Sequence, residues 1–351
     1  MEMDYIEIME EITSGLTGDY RRDFKYLEEQ SEKYRAHPMN TEILRGIWRM
    51  YPDIVPPEKM KEVGQALRGM DLSISKTIEE AAFQYQKKDP WRALDIIGPL
   101  VRHVENADGE RMYLDDSLSE YRRFQNILEE LLYRFINKPE RTVRRIPQEL
   151  DRLYLMHGSI LFELKRFDEA EGALRKALSI NPVWSAAMFE LGEISKVRKD
   201  WAAYLKLMRE CHGTIYTAVD LARFYRNMGY HCIEMKDYAS ATLLYQASSA
   251  YEASVMLQSQ MYYIQQEVGG ALPEYDHAKF LRMCKERDIP PGPSNTVIGV
   301  CRSAADEAER LGRHVLAMYF LSVLQDLSRM DPAEADRIEA RMARIKKKIK
   351  G

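Results

Sequence analysis

Cys211-His212 and His231-Cys232 are the adjacent cysteine–histidine pairs of this chain, and they lie about twenty residues apart. A thiolate beside an imidazole suits either a zinc site or an activated nucleophile, but zinc ligands are usually gathered on one turn or loop. These pairs lack that spacing, and the four cysteines (211, 232, 284 and 301) include no CxxC. Gly-rich phosphate loops, HExxH, GxSxG, kinase signatures and EF-hand loops are absent from the sequence. Asp115-Asp116 and Glu129-Glu130 read as solvated faces or caps rather than acid/base pairs. No metal and no cofactor is implied, and no catalytic activity is expected. The basic groups collect at KPERTVRR (138–145) and RIKKKIK near the C-terminus. The first offers a small anion patch at Lys138, Arg141, Arg144 and Arg145, with an exposed connector as the default; the second reads as a solvated helix end.

The net charge of −4 gives no footprint for nucleic acid, which is disfavoured as a partner. No apolar run approaches membrane-spanning length, so no membrane is expected. The opening MEMDYIEIMEEI is acidic and amphipathic, unlike a secretory leader. Reduced, buried thiols then suggest a cytoplasmic protein.

The elements that would position any site repeat. In Asp151–Pro182, Tyr154, Gly158 and Leu161 share one helical stripe, and Phe167, Ala170, Leu174 and Ala177 share another. A second copy has Met188, Leu191-Gly192 and Ser195, then Trp201, Tyr204, Met208 and Cys211. A third has Tyr225, Met228-Gly229 and Cys232, then Tyr238, Ala241, Tyr245 and Ser248. Gly158, Gly192 and Gly229 are spaced by 34 and 37 residues. Weaker copies are Ile78, Ala81-Ala82 and Tyr85 with Trp91, Leu94, Gly98 and Val101, and Cys301, Ala304-Ala305 and Ala308 with His314, Ala317, Leu321 and Leu324. The steps from Ala82 to Gly158 and from Gly229 to Ala305 are both 76 residues, which predicts one degenerate copy in each gap and about seven units over Ser75–Met330.

This pattern resembles the tetratricopeptide repeat, a helix–turn–helix unit of about 34 residues with W-x2-L-G-x2-Y, A-x3-F and P positions. The resemblance implies an all-α fold, a right-handed α-solenoid of antiparallel helix pairs. We divide the chain into a divergent helical N-terminal region (1–72), a repeat array (75–330) and a C-terminal capping helix (331–351). The best repeats are 151–184, 185–213 and 222–255, and the weaker ones 75–108 and 298–331. Helical pairs are expected at 2–14 with 19–35 and, between prolines, at 40–51 with 57–69. Asp89-Pro90 reads as N-cap and N1 of a helix. NADGE (106–110) reads as a loop, a long helix is predicted from about Asp116 to Asn137, another pair follows from 255, and IPPGPSN (289–295) is a loop.

In tetratricopeptide arrays the first helix of each repeat lines the concave surface. Carried onto this chain, the resemblance implies groove positions at Arg152, Ser159 and Phe162 in one repeat, and Phe189, Glu190, Glu193 and Lys196 in the next. In the third it implies Arg223, Arg226, Asn227 and Tyr230. Arginines bind carboxylates bidentately, an asparagine pairs with peptide backbone and a tyrosine offers a stacking face. The bland reading ties the arginines to Glu190, Glu193 and other carboxylates of adjacent helices. The family's clamp for C-terminal carboxylates is not matched, because Leu155, Ser159 and Glu190 occupy its positions. The expected function is a non-catalytic scaffold or adaptor for a protein or peptide, an acidic or extended segment among the candidates. The alternatives are a regulator resembling the Rap-type peptide sensors, whose N-terminal helices act on a partner protein, and a helical-repeat enzyme.

Overall fold

Helix pairs in this chain are closed by a recurring turn, which sets the register of everything built on them. The computed structural model describes residues 5–40, 43, 44, 46, 47, 50, 74–106 and 113–350. Lys88, Lys165, Lys199, Lys236 and Gly312 each adopt a left-handed backbone, with φ between 56° and 68°. The N–H groups of the residues that follow them, Asp89, Arg166, Asp200, Asp237 and Arg313, donate to the carbonyls five residues back. This is the Schellman closure of a helix C-terminus. Asp89, Asp200 and Asp237 then cap the next helix, accepting from the N–H of Arg92, Ala203 and Ser240. Each aspartate thus satisfies a donor that has no partner within the helix.

The left-handed region costs an ordinary L-residue about 1–2 kcal/mol, and glycine's extra chain entropy offsets part of the relief. Lys199→Gly should therefore stabilise the protein by about 0.5–1 kcal/mol, seen as a higher denaturation midpoint. An unchanged or lower midpoint would show that the Lys199 side chain contributes something the turn geometry does not reveal.

The fold is all-α, of the helical-repeat solenoid class, and it divides into two units. The first comprises Met1–Arg123 and Pro139–Ala173. It contains α1 (Tyr5–Ser14), α2 (Tyr20–Lys33), α3 (74–86), α4 (Pro90–Asn106), β1 (Ser119–Arg122), β2 (Thr142–Arg145) and α6 (Leu150–Glu163). Ile8 and Ile12 of α1 meet Leu27 of α2 in a small core with Ile43 and Ile47. Gly18, left-handed at φ 79°, precedes Asp19, which caps α2, but the Asp19 N–H donates to Thr17 Oγ1 rather than to a carbonyl five residues back, so this connection differs from the turn described above. The expected 40–51 and 57–69 helices and the NADGE loop fall largely outside the described residues. Helix α4 starts at Pro90 as expected, but its buried face is Ala93, Ile97, Val101 and Val104, whereas Trp91 is 62% exposed. Of the expected stripe, Gly98 and Val101 are buried and Leu94 is half-buried, whereas Trp91 turns to solvent.

The second unit comprises Phe124–Lys138 and Leu174–Gly351. It contains α5 (Ile127–Asn137), α8 (Ser185–Val197), α9 (Trp201–His212), α10 (Ala218–Glu234), α11 (Tyr238–Tyr251), α12 (Val255–Val268), α13 (His277–Glu286), α14 (Asn295–Arg310), α15 (His314–Leu327) and α16 (Pro332–Lys350). Helix α7 (Phe167–Ile180) straddles the division at Ala173–Leu174. Within this unit α8 packs on α9, α10 on α11 and α14 on α15. The gap between Gly229 and Ala305 holds two successive helices, α12 and α13, each of which packs on α11. Helix α16 buries Ile338 and Ile345. Its Arg341 and Lys348 reach Glu309 at 3.0 and 3.2 Å, so part of the basic C-terminal run is held by α14.

The other gap differs from expectation. No single helix runs from Asp116 to Asn137, and among the described residues no degenerate helix pair fills the space. Residues 119–122 instead form β1, parallel to β2 with Ser119 opposite Thr142 and Arg122 opposite Arg145. The reason is local. Asp116 Oδ1 accepts from the N–H of Leu118 and Ser119, and Asp115 Oδ1 from that of Tyr121, which fixes a turn where helix would need free backbone. Asn126 then caps α5. The basic connector is likewise committed. Arg141 lies 3.3 Å from Asp115 and 3.4 Å from Glu120, and Arg144 Nε donates to Ser119 Oγ.

Candidate cleft of the second unit

Arg223, Arg226, Asn227 and Tyr230 sit at i, i+3, i+4 and i+7 of α10, one stripe of the helix. Glu193 and Lys196 of α8 face them from one side, and Ser254 and Gln260, at the start of α12, from the other. Together with Val197, Tyr245 and Glu252 they line a cleft of about 690 Å³. Helices α8, α10 and α12 therefore supply it, together with Tyr245 of α11 and Glu252 just after it.

Close approach of the helices makes the cleft possible. A Cβ on Gly192 would lie 3.0 Å from the Met208 methyl, and one on Gly229 would lie 2.9 Å from the Tyr245 ring. Tyr204 of α9, fully buried, donates its hydroxyl to the Asn227 carbonyl at 2.8 Å, locking α10 against the second pair. Burial pushes the Tyr204 phenol far above its ordinary range, so it stays a donor.

The cations are all engaged. Lys196 Nζ donates to Glu193 Oε1 at 2.7 Å and to Asn227 Oδ1 at 3.1 Å, and lies 4.9 Å from the centre of the Tyr230 ring. Arg223 pairs with Glu190 at 2.9 Å, and Arg226 with Glu252 at 2.8 Å. Each cation thus has one carboxylate, as the bland reading expected, and the set is close to neutral. One donor is left over: Arg226 Nη1 is buried and has no hydrogen-bond partner. Tyr230 is raised above the ordinary phenol range by burial and by its hydrogen bond to Glu234.

Six groove positions read from the sequence, Glu193, Lys196, Arg223, Arg226, Asn227 and Tyr230, therefore meet in one cleft. Phe189 does not line it: the ring is fully buried and the Arg223 guanidinium lies over it, 4.7 Å from the centroid. Its role is a platform rather than a contact surface. Arg152, Ser159 and Phe162 belong to the first unit. There Arg152 pairs with Glu149 at 2.9 Å, Ser159 is half-buried, and Phe162 meets Phe167 edge-on. Sequence reasoning missed Glu252, Ser254 and Gln260. The repeat register points to Gln260, because 255–270 reads as another first helix, whereas Glu252 and Ser254 lie between two helices.

The cysteine–histidine pairs are structural. His212 Nε2 lies 2.7 Å from the Gly292 carbonyl and its ring packs on Phe224; burial lowers its pKa. His231 packs on Trp201. All four thiols are free and buried, and burial pushes Cys232 up to about 11 and Cys284 and Cys301 up to about 12. Such thiols stay protonated and are poor nucleophiles. A second, apolar cleft of about 590 Å³ lies between Leu131 and Phe135 of α5 and Thr296, Val300 and Ala304 of α14.

A comparison with curated proteins gives no match for the chain. Residues 151–183 match the family model of the tetratricopeptide repeat. That stretch covers α6 and α7, and the recurring turn carries the same register from it into α8–α11. Residues 151–183 thus form a repeat of the tetratricopeptide type.

Proposed function

We propose that the cleft between α8, α10 and α12 binds a segment of another protein, and that the chain acts as a non-catalytic scaffold or adaptor. Repeats of this kind serve protein interaction in general. The observation that carries the reading is the convergence of polar and aromatic groups from α8, α10, α11 and α12 on one cleft. Lys196, Asn227 and Tyr204 hold one another in place before any ligand arrives. A receptor whose groups are already ordered loses little entropy on binding. The Asn227 amide is committed to Lys196 and, at 3.8 Å, to Met208 Sδ, so Gln260 and the Tyr230 ring are the groups that suit an extended peptide more than a small metabolite.

The test is affinity capture from the source lysate, comparing wild type with Arg223→Glu/Arg226→Glu, both shown to be folded by circular dichroism. Reversing two charges in the cleft should abolish retention of a specific partner, a loss of at least tenfold. Identical captured sets from both proteins would remove the cleft from consideration.

A further inference from the structure

The ligand group that this cleft accepts follows from Arg226, and the inference rests on the peptide-binding reading above. A guanidinium carries five N–H donors in a planar fork that matches a carboxylate side-on. Arg226 uses the fork only in part. Its Nη2 meets Glu252 Oε2 at 2.8 Å, while Nη1 is buried without an acceptor. The Arg226 side chain is only 16% exposed, so bulk solvent is a poor substitute.

Glu252 is placed to yield. It follows the last residue of α11 in extended backbone, φ −153° and ψ 128°, and residues 252–254 are non-helical. Its side chain is 32% exposed, so its carboxylate can turn to water without crossing the core. The charge balance decides which anion can replace it. Lys196, Arg223 and Arg226 are matched by Glu193, Glu190 and Glu252. A monoanion exchanged for Glu252 preserves that balance, whereas a dianion such as phosphate would face Glu193 and Glu190 with no surplus cation. Ser254, whose side chain does not cap α12, and Gln260 add neutral polar groups for the flanking peptide.

We infer that the cleft binds an extended peptide through an internal aspartate or glutamate side chain, which takes Arg226 side-on and displaces Glu252. Glu252 then acts as a built-in competitor that the ligand must replace.

The experiment selects dodecapeptides from a random display library on the full chain. The selected sequences are then made with acetylated and amidated ends, and their binding is measured by fluorescence anisotropy. The expected result is an acidic residue enriched at one position, whose change to the amide weakens binding at least tenfold on wild type. The same change should cost less than threefold on Arg226→Met. Glu252→Gln, which removes the competitor and leaves the core untouched, should bind the acidic peptides about fivefold more tightly. Selected peptides that carry no acidic position yet lose binding on Arg226→Met would overturn this inference and leave the peptide-binding reading standing. Peptides indifferent to Arg226→Met, or no enrichment at all, would overturn both.

Discussion

Replacing Glu129 with alanine should destabilise the protein by about 3 kcal/mol, one of the two largest effects we expect. Glu129 is fully buried on α5, and its carboxylate gathers three donors from different parts of the second unit. Oε2 accepts from the Gln125 N–H at 2.7 Å and from Asn181 Nδ2 at 2.8 Å, and Oε1 from the Tyr216 hydroxyl at 2.9 Å. Tyr216 in turn accepts from Asn126 Nδ2 at 2.8 Å, next to the cap of α5. Truncation leaves these donors buried without an acceptor, at about 1–3 kcal/mol each before relaxation. Glu129→Gln keeps the shape and one acceptor, so about half the loss is expected. The measurement is a denaturant titration of the three proteins. A Glu129→Ala midpoint equal to wild type would mean that α5 is not anchored through this carboxylate.

Gly229→Val should cost about 2–3 kcal/mol. The first added carbon already falls 2.9–3.2 Å from three atoms of the Tyr245 ring, which is 2% exposed and has little room to move. Overpacking of this kind costs about 1–3 kcal/mol, and the gain from replacing a helical glycine recovers only a few tenths for valine. Gly192→Ala is the contrast. Its nearest neighbour is the mobile methyl end of Met208, and alanine gains about 1 kcal/mol of helix propensity, so a change near zero is expected. Thermal melts of both variants decide the matter. A tolerated Gly229→Val would show that α10 and α11 can separate without loss, against the seam proposed here.

These glycines also explain what could be read directly. A small residue is required wherever two helices approach closely, so Gly192 and Gly229 marked the pairs and their spacing gave the register. Asp89, Asp200 and Asp237 mark the second helices for an equally local reason. The cleft was legible to the same extent, since register alone brought Glu193, Lys196, Arg223, Arg226, Asn227 and Tyr230 together. Register does not say which way a side chain leans, and Phe189 was misassigned for that reason: Arg223 folds over it. Glu252 escaped because it follows a second helix, where repeat positions carry no expectation. The strand at 119–122 was hidden more deeply. Tyr121, Phe124 and Leu128 are spaced like a helical stripe, and the pairing that overrides them involves residues 142–145, more than twenty positions away.

The interleaving of the two units bears on synthesis at the ribosome. The chain leaves the first unit after Arg123, returns at Pro139 and leaves again after Ala173. The first unit has all its residues once Ala173 has emerged. Helix α5 emerges earlier but belongs to the second unit, where it packs on α14 (Asn295–Arg310). At about 5–20 residues per second that partner follows roughly ten to thirty seconds later. For that interval Leu128, Leu131 and Leu132 have no native neighbours on α14 to cover them. The nascent chain therefore carries an apolar helix, tethered at both ends by the first unit, until α14 has been made.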